Sequence, residues 1–463
     1  MKKRLLPLFI FLFTACAEKG FDAQIWLTDP SGEILFQEQE KISFVKKTFS
    51  GPVIEINPDM RYQEMDGFGF TLTQGSAKHL LGMTAESRAD LLQELFGDRE
   101  KDIRINYLRL SIAASDLNDT VFSYHDLQEG EEDPDLTKFD LGPDRQDVIP
   151  VLKEIMAINP DIKLMGSPWS PPAWMKDNKD TRGGKLLPQN YDAYALYFVK
   201  YIQQMAEEGF EIDAVTVQNE PLHPGNNPSL LMLPEEQADF IKNHLGPKFE
   251  EFGIKTKIII YDHNADRPDY PISILDDPES KKYIDGSAFH LYGGNIEALS
   301  EVHRAHPDKN LYFTEQWIGS PGDLSGDLAW HTKNLIIGAS RNWAKTVLEW
   351  NLSSAPDLKP FTDRGGCSLC LGAVTIKINS VYRNPAYYIV AHASKFVDAG
   401  SLRIETNEPE GLANVAFLRP DGKIVLIVLN EGKGAKEFSL KHGDKFGEYT
   451  LNQGAVATFV LLI

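Results

Sequence analysis

Cysteine is scarce in this chain, and basic charge falls short of acidic. Three cysteines stand among 463 residues, at positions 16, 367 and 370, too few for a disulfide scaffold and with no second CxxC to complete a zinc site. Lys and Arg number 47 against 67 Asp and Glu, a formal net charge of −20. A surface of that sign repels phosphate backbones and anionic lipid, so nucleic acid is not an expected partner and a neutral substrate is favoured. The chain has no HExxH helix, no G-x-S-x-G elbow and no glycine-rich phosphate loop after its first strand, which removes zinc-protease, α/β-hydrolase and dinucleotide-binding readings. Neither a metal nor a cofactor is expected. Internal repeats and low-complexity segments are also missing.

What the first residues do hold is the layout of an export signal. Lys2, Lys3 and Arg4 precede an apolar Leu5–Phe13 run that is too short to span a bilayer, and small residues lead to Cys16. The "FTAC" ending resembles a bacterial lipoprotein cleavage box. Residues 1–15 then form a signal peptide, and Cys16 becomes a lipidated N-terminus on the periplasmic or cell-surface side of a membrane. Without processing of that kind the chain is simply secreted. The other two cysteines lie in "GGCSLC", where a CxxC can be a redox pair, half a metal site or a tight disulfide. Export favours the oxidised, structural reading.

From residue 64 onward, short apolar runs alternate with amphipathic segments. The runs cover 65–73, 105–113, 162–168, 213–221, 257–264, 286–294, 311–319 and 345–353. Helical spacing marks 85–97, 145–158, 191–209, 326–343 and 384–397, and Pro234 suits a first helical turn. Strands that are apolar throughout, each followed by a helix, are buried on both faces, which predicts a parallel (β/α)8 barrel, an α/β fold. The chain ends differ: 23–37 and 401–463 carry alternating or apolar runs joined by turns such as "PDG", with no helical segment between. Both ends are expected to build one small β-sandwich. The predicted domains are residues 16–63 (strands for the sandwich), 64–398 (barrel) and 399–463 (the rest of the sandwich).

A barrel of this kind places its active site at the C-terminal ends of its strands. Glu220 ends the fourth run in "VTVQNEP", and Glu315 ends the seventh in "LYFTEQW". A carboxylate after an apolar run is costly unless something compensates it. Two of them converging on one mouth can do glycoside hydrolysis, one protonating the departing oxygen while the other attacks or activates water. Arg109, Asp116, Trp169, Trp174, His290, Tyr292, Gln316, Trp317 and Trp350 end or follow neighbouring strands, offering hydrogen bonds to hydroxyls and flat faces for sugar rings. Asp116 could equally cap a helix, and His290 could be a core histidine. The cluster Asp262-His263-Asn264 is better suited to bonding neighbours than to a metal.

The motifs "MDGFGF", "SPWSPPAWMK", "VTVQNEP", "FHLYGG", "LYFTEQ", "LEWNLS" and "NPAYYIVAHASKFVDAGS" resemble, in order and spacing, the retaining β-glycosidases of glycoside hydrolase family thirty, which include glucosylceramidases and bacterial β-1,6-glucanases. The resemblance runs from about residue 50 to the end. It implies Glu220 as acid/base and Glu315 as nucleophile, with Arg109, Trp169, Asn219, Tyr292 and Trp350 lining the sugar subsite and His290 and Trp317 beside it. It also implies that Gln74, standing where glucosylceramidases carry an Asp after the first strand, meets the outer hydroxyls of glucose. The "DRGGCSLC" loop departs from the glucosylceramidase pattern as well. Both departures point toward β-1,6-glucan or its oligosaccharides, ahead of a glucosylceramide or β-xyloside, and the two carboxylates count against a non-catalytic glycan-binding lipoprotein.

In such a site a half-buried Glu220 facing a charged Glu315 is expected to hold its proton more firmly than a free carboxyl. Cys367 and Cys370 are expected to be bridged. For the leader, Cys16→Ser is expected to release the protein into the soluble fraction or to block processing, as read by membrane fractionation. An unchanged membrane fraction rejects the lipid anchor.

Overall fold

The computed structural model describes residues 20–462; the leader and Cys16 lie outside the described residues. Eight strands form a closed, all-parallel barrel: β1 (Gly67–Leu72), β2 (Tyr107–Ile112), β3 (Lys163–Pro168), β4 (Ala214–Thr216), β5 (Lys257–Ala265), β6 (Ile284–Gly294), β7 (Asn310–Glu315) and β8 (Ala344–Asn351). Each falls within or across one of the apolar runs, because a parallel strand covered by helices outside and core inside has no polar face. β4 is shorter than its run. Its ladder stops at Thr216, after which the chain turns through a left-handed Glu220 (φ 47°). In β1, Gly69 is required by contact: a Cβ there would stand 1.9 Å from the Tyr107 carbonyl oxygen.

Inside the barrel, Tyr107, Met165, Ala214, Ile259, Ala288, Tyr312 and Leu348 make one apolar layer, each from a different strand, β2 to β8. Side chains of a strand return to the same face every second residue. Two positions further along, the same strands therefore supply Arg109, Ser167, Thr216, His290, Thr314 and Trp350. β5 breaks the rule. Tyr261 and Asp262 have φ of 72° and 62°, and the pairing with β6 shifts register between Tyr261 and His263. This bulge turns Tyr261 outward, where its ring packs 4.9 Å from that of Tyr270, and brings Asp262 inward instead.

The second domain is a nine-stranded sheet whose hydrogen-bonded order closes on itself. Phe21–Thr28, Gln37–Lys46 and Val53–Glu64 come from the first part of the chain, and the six strands from Leu402–Thr406 to Val456–Leu461 come from the last. Both chain ends thus meet in one domain with its own core, including Ile25, Phe44, Leu426, Phe438 and Phe459. It is tied to the barrel by His392 on the helix Pro385–Ser394, whose ring nitrogens lie 2.8 Å from the hydroxyls of Thr28 and Thr458.

Burial pushes His392 down to about 3, whereas an unfolded imidazole titrates at about 6.5. Between those values the unfolded chain binds more protons, so this group's contribution to stability is present above about 6.5 and is lost as pH falls. The loss is about 2 kcal/mol by about pH 5. His392→Gln is expected to lower Tm at neutral pH but to narrow the gap between Tm at about pH 7.5 and about pH 5. Thermal unfolding at the two values checks this, and an undiminished gap rejects it.

Candidate active site

The polar layer is built around one buried ion pair. Arg109 donates from Nη2 to Asp262 Oδ2 (2.8 Å) and Asn219 Oδ1 (2.7 Å), from Nε to Ser167 Oγ (3.0 Å), and from Nη1 to Glu315 Oε2. Asp262 also accepts from Thr216 (2.7 Å), Thr314 (2.6 Å) and His290 Nε2 (3.1 Å). Burial opposes its charge, yet the Arg109 cation and these hydrogen bonds hold its carboxyl well below the usual carboxylate range. The bulge serves a second end: the Asp262 carbonyl accepts from the Glu220 N–H at 3.0 Å, fixing the acid in its left-handed conformation.

Above this layer lie the two glutamates. One oxygen of each and a ring nitrogen of His290 all fall within 4.8 Å of one another, close to the spacing of about 5–5.5 Å that retention requires and short of the 6.5 Å or more at which a water fits between. Tyr292 Oη donates to Glu315 Oε1 (3.0 Å), so both Glu315 oxygens are held by donors. His290 Nδ1 donates to Glu220 Oε1 (3.1 Å). Burial alone would strip His290 of its proton, but Glu315, Asp262 and Glu220 around it reverse that and raise it to about 9. With both ring nitrogens protonated and donating to carboxylates, His290 has no lone pair for a metal.

The acid does not behave as its surroundings alone suggest. Burial raises Glu220, but the hydrogen bond and charge of His290 outweigh it and lower its pKa. Glu315 is raised, chiefly by burial and then by Glu220 and Asp262, against the pull of His290 and Arg109. Of the Glu220–His290 couple, His290 is therefore the protonated member.

A cleft of about 500 Å³ opens over the pair, lined among others by Asp116, His263, Tyr292, Trp317, Trp350 and the segment 365–370. Cys367 and Cys370 are joined by a disulfide, with Cα atoms 5.6 Å apart. This bridge packs with Trp169 and Trp350 in one cluster. The remaining sequence-based sugar contacts sort differently. Trp169 is buried beneath Trp350, ring centroids 5.3 Å apart, and lies 4.9 Å over the Arg109 guanidinium, so it is floor and not lining. His290 is fully buried and holds the carboxylates. Asn219 gives its Oδ1 to Arg109, leaving its N–H groups for a hydroxyl.

Gln74 does not reach the cleft. It opens the helix Gln74–Leu81 behind the N-cap Thr73, and its Oε1 accepts from Asn118 Nδ2 (2.9 Å). The side chain is buried against Asn118 and is not part of the cleft lining. Asp116, beyond the end of β2, occupies the cleft instead, with a buried Oδ1 that has no partner. Burial, then the charges of Glu315 and Glu220, push it up to about 8, leaving a neutral carboxyl suited to hydroxyls. Its position past a strand end marks it in the sequence as a hydrogen-bonding candidate, with a helix cap as the alternative.

Residues 65–397 match the model of the Glycosyl hydrolase family 30 TIM-barrel domain, and 400–459 match the Glycosyl hydrolase family 30 beta sandwich domain. The chain belongs to glycosyl hydrolase family 30. This family 30 member is 32% identical over 427 residues to an endo-1,6-beta-D-glucanase of Aspergillus fumigatus, covering 86% of this chain and 85% of that protein. It is 30% identical over 410 residues to the lysosomal acid glucosylceramidase of Mus musculus, covering 83% and 78% respectively. A solved endo-beta1,6-glucanase superposes with a TM-score of 0.88 at 36% identity, covering 95% of this chain and 99% of that one. The family 30 chain is thus a retaining glycoside hydrolase.

With Glu220 as the expected acid and the proton of the pair on His290, kcat/KM is expected to fall as pH rises through about 9, where His290 loses it. In His290→Asn the acid must hold its proton alone, and the alkaline limb is expected to move down by at least about one unit. A pH profile of kcat/KM checks this; a limb that stays in place rejects that placement of the proton.

Proposed function

We propose that this family 30 enzyme cleaves β-1,6-linked glucan or its oligosaccharides by double displacement. The observation that carries the roles is the unequal restraint of the two acids. Glu315, held by Arg109 and Tyr292, is aimed and cannot turn, as a nucleophile requires; Glu220, whose side chain accepts from the proton-bearing His290, can take up and release a proton.

A Glu315 oxygen attacks the anomeric carbon while the bond to the leaving oxygen breaks, and the proton from Glu220 goes to that oxygen. Seating a neutral sugar excludes water from Glu220, which favours its protonated form and draws the proton across from His290 Nδ1. Glu220, now a carboxylate, takes a proton from water, the hydroxide attacks the anomeric carbon, and Glu315 is released. The endo-1,6-glucanase activity of the Aspergillus relative and of the solved neighbour supports the substrate. The mouse glucosylceramidase supports a second reading, β-glucosylceramide on the same scaffold. Attachment to a membrane through Cys16 belongs to the same proposal and rests on the leader alone.

Two measurements test it. Across β-1,3-, β-1,4- and β-1,6-glucans with glucosylceramide in mixed micelles, kcat/KM is expected to be highest for the β-1,6-glucan; a higher value for glucosylceramide replaces this reading with the second. Glu315→Ala is expected to abolish turnover of every substrate. Glu220→Ala is expected to lose about 100-fold or more on glucans while sparing the glycosylation step of activated aryl glycosides, which need little protonation. Equal losses on both substrate types contradict the roles.

A further inference from the structure

The cleft has two ends, and the chemistry assigned above uses one of them. Trp350 stands at the Glu315 side, its backbone N–H donating to the Gln316 carbonyl at 2.8 Å, and Leu117, next to Asp116, packs in one cluster with Trp350 and Trp317. At the other side stand His263 and Asn264 from β5, with His223 and Asn226 from the loop after Glu220. His263 feels Glu220, His290 and His223. Nothing in the reaction steps engages this second end.

His263 owes its position to the bulge. The two left-handed residues before it turn Asp262 into the barrel and leave the next side chain in the cleft. It is 6% exposed, and its Nδ1 is buried without a hydrogen-bond partner. With Nδ1 closed off, Nε2, which makes no hydrogen bond among the described residues, is the ring nitrogen left for a ligand in the cleft. Burial also holds its pKa down at about 4, so at neutral pH the ring is uncharged, with one donor and one acceptor nitrogen, the pairing a sugar hydroxyl can meet either way. Beside it, Asn264 is fixed through its Oδ1, which accepts from the Tyr292 N–H at 3.1 Å.

An acid delivers its proton to the leaving oxygen, so the departing sugar must lie on the Glu220 side of the scissile bond. We propose that His263, supported by Asn264 and Asn226, binds that departing sugar by hydrogen bonds to its hydroxyls and so selects glycosyl leaving groups over apolar ones. This rests on the glucan reading for the identity of the sugar, and on the geometry for its place. The loop that carries Asn226 also meets the disulfide loop, since a Cβ on Gly365 would stand 2.3 Å from the Gly225 carbonyl oxygen. This end of the cleft is therefore built from elements packed on one another.

The test compares His263→Ala and His263→Gln with the wild-type full chain on two substrates. One is a linear β-1,6-gluco-oligosaccharide, whose leaving group is a sugar; the other is 2,4-dinitrophenyl β-glucoside, whose leaving group has no hydroxyls to bind. In His263→Ala the loss of kcat/KM on the oligosaccharide is expected to exceed that on the aryl glucoside by about tenfold or more, and His263→Gln, which keeps a donor and an acceptor, is expected to recover most of it. Equal losses on the two substrates, or a Gln variant no better than Ala, overturn the proposal. A second readout separates it from the glucan reading. The glycosyl-enzyme formed from the aryl glucoside is partitioned between added glucose and added methanol as acceptors. His263→Ala is expected to lower transfer to glucose about fivefold or more relative to methanol, whatever polymer the wild type prefers. An unchanged ratio overturns the proposal even where β-1,6-glucan is the best substrate. Conversely, a wild type inactive on β-1,6-glucan whose His263→Ala variant shows the lowered ratio overturns the glucan reading alone.

Discussion

The buried contact between Arg109 and Asp262 is what the rest of the site hangs on. Removing either charge would strand the other in the barrel, at a cost of about 3–5 kcal/mol. With both present, one guanidinium positions Asn219 and Glu315 from below, and one carboxylate gathers Thr216, Thr314 and His290. Together with the pair itself, these groups come from strands β2, β4, β5, β6 and β7 and from the segment after β4. The pair therefore converts the strand ends of a closed sheet into a single rigid platform, which is the preorganisation that a reaction through a charged transition state needs.

Charge balance on the platform explains its chemistry. Glu220, Glu315 and Asp262 face two cations, Arg109 and His290, and Asp116 stays neutral at its raised value of about 8. One negative charge is left uncompensated in a site largely withdrawn from water. The species it favours is the oxocarbenium-like sugar of the transition state, whose positive charge is absent from the ground state. The same balance places the proton on His290, within hydrogen-bond reach of Glu220, the proposed acid.

The platform is bought with backbone strain. Tyr261, Asp262 and Glu220 all sit at positive φ, each costing of order 1–3 kcal/mol for a residue other than glycine. The Asp262 carbonyl accepting from the Glu220 N–H ties the strained segments to each other, and tight packing of Tyr261 on Tyr270 holds the bulge from outside. Residues 261 to 263 thereby serve three directions at once: helix layer, barrel interior and cleft.

The eight strands and the two-ended second domain were readable in the sequence because burial on both faces leaves an unbroken apolar run, and because turn residues punctuate the chain ends. Glu220 and Glu315, the residues proposed to carry the reaction, stood out for a related reason, since an acid at the end of such a run needs a compensating partner. The roles of their neighbours did not. Alternation along β5 would have put Tyr261 inward, and only the bulge, packed on Tyr270 of the helix that follows the strand, put Asp262 there and His263 in the cleft. Gln74 and Asp116 each follow a strand end and look alike as text; Gln74 starts a helix and is taken up by Asn118, whereas Asp116, on a loop, lines the cleft. Trp169 and Trp350 both end strands, but which ring is floor and which is wall depends on how they stack over Arg109. Sequence periodicity determines which residues share a face, whereas direction at a strand end is decided by tertiary contacts, because there the ladder that enforces the period has stopped.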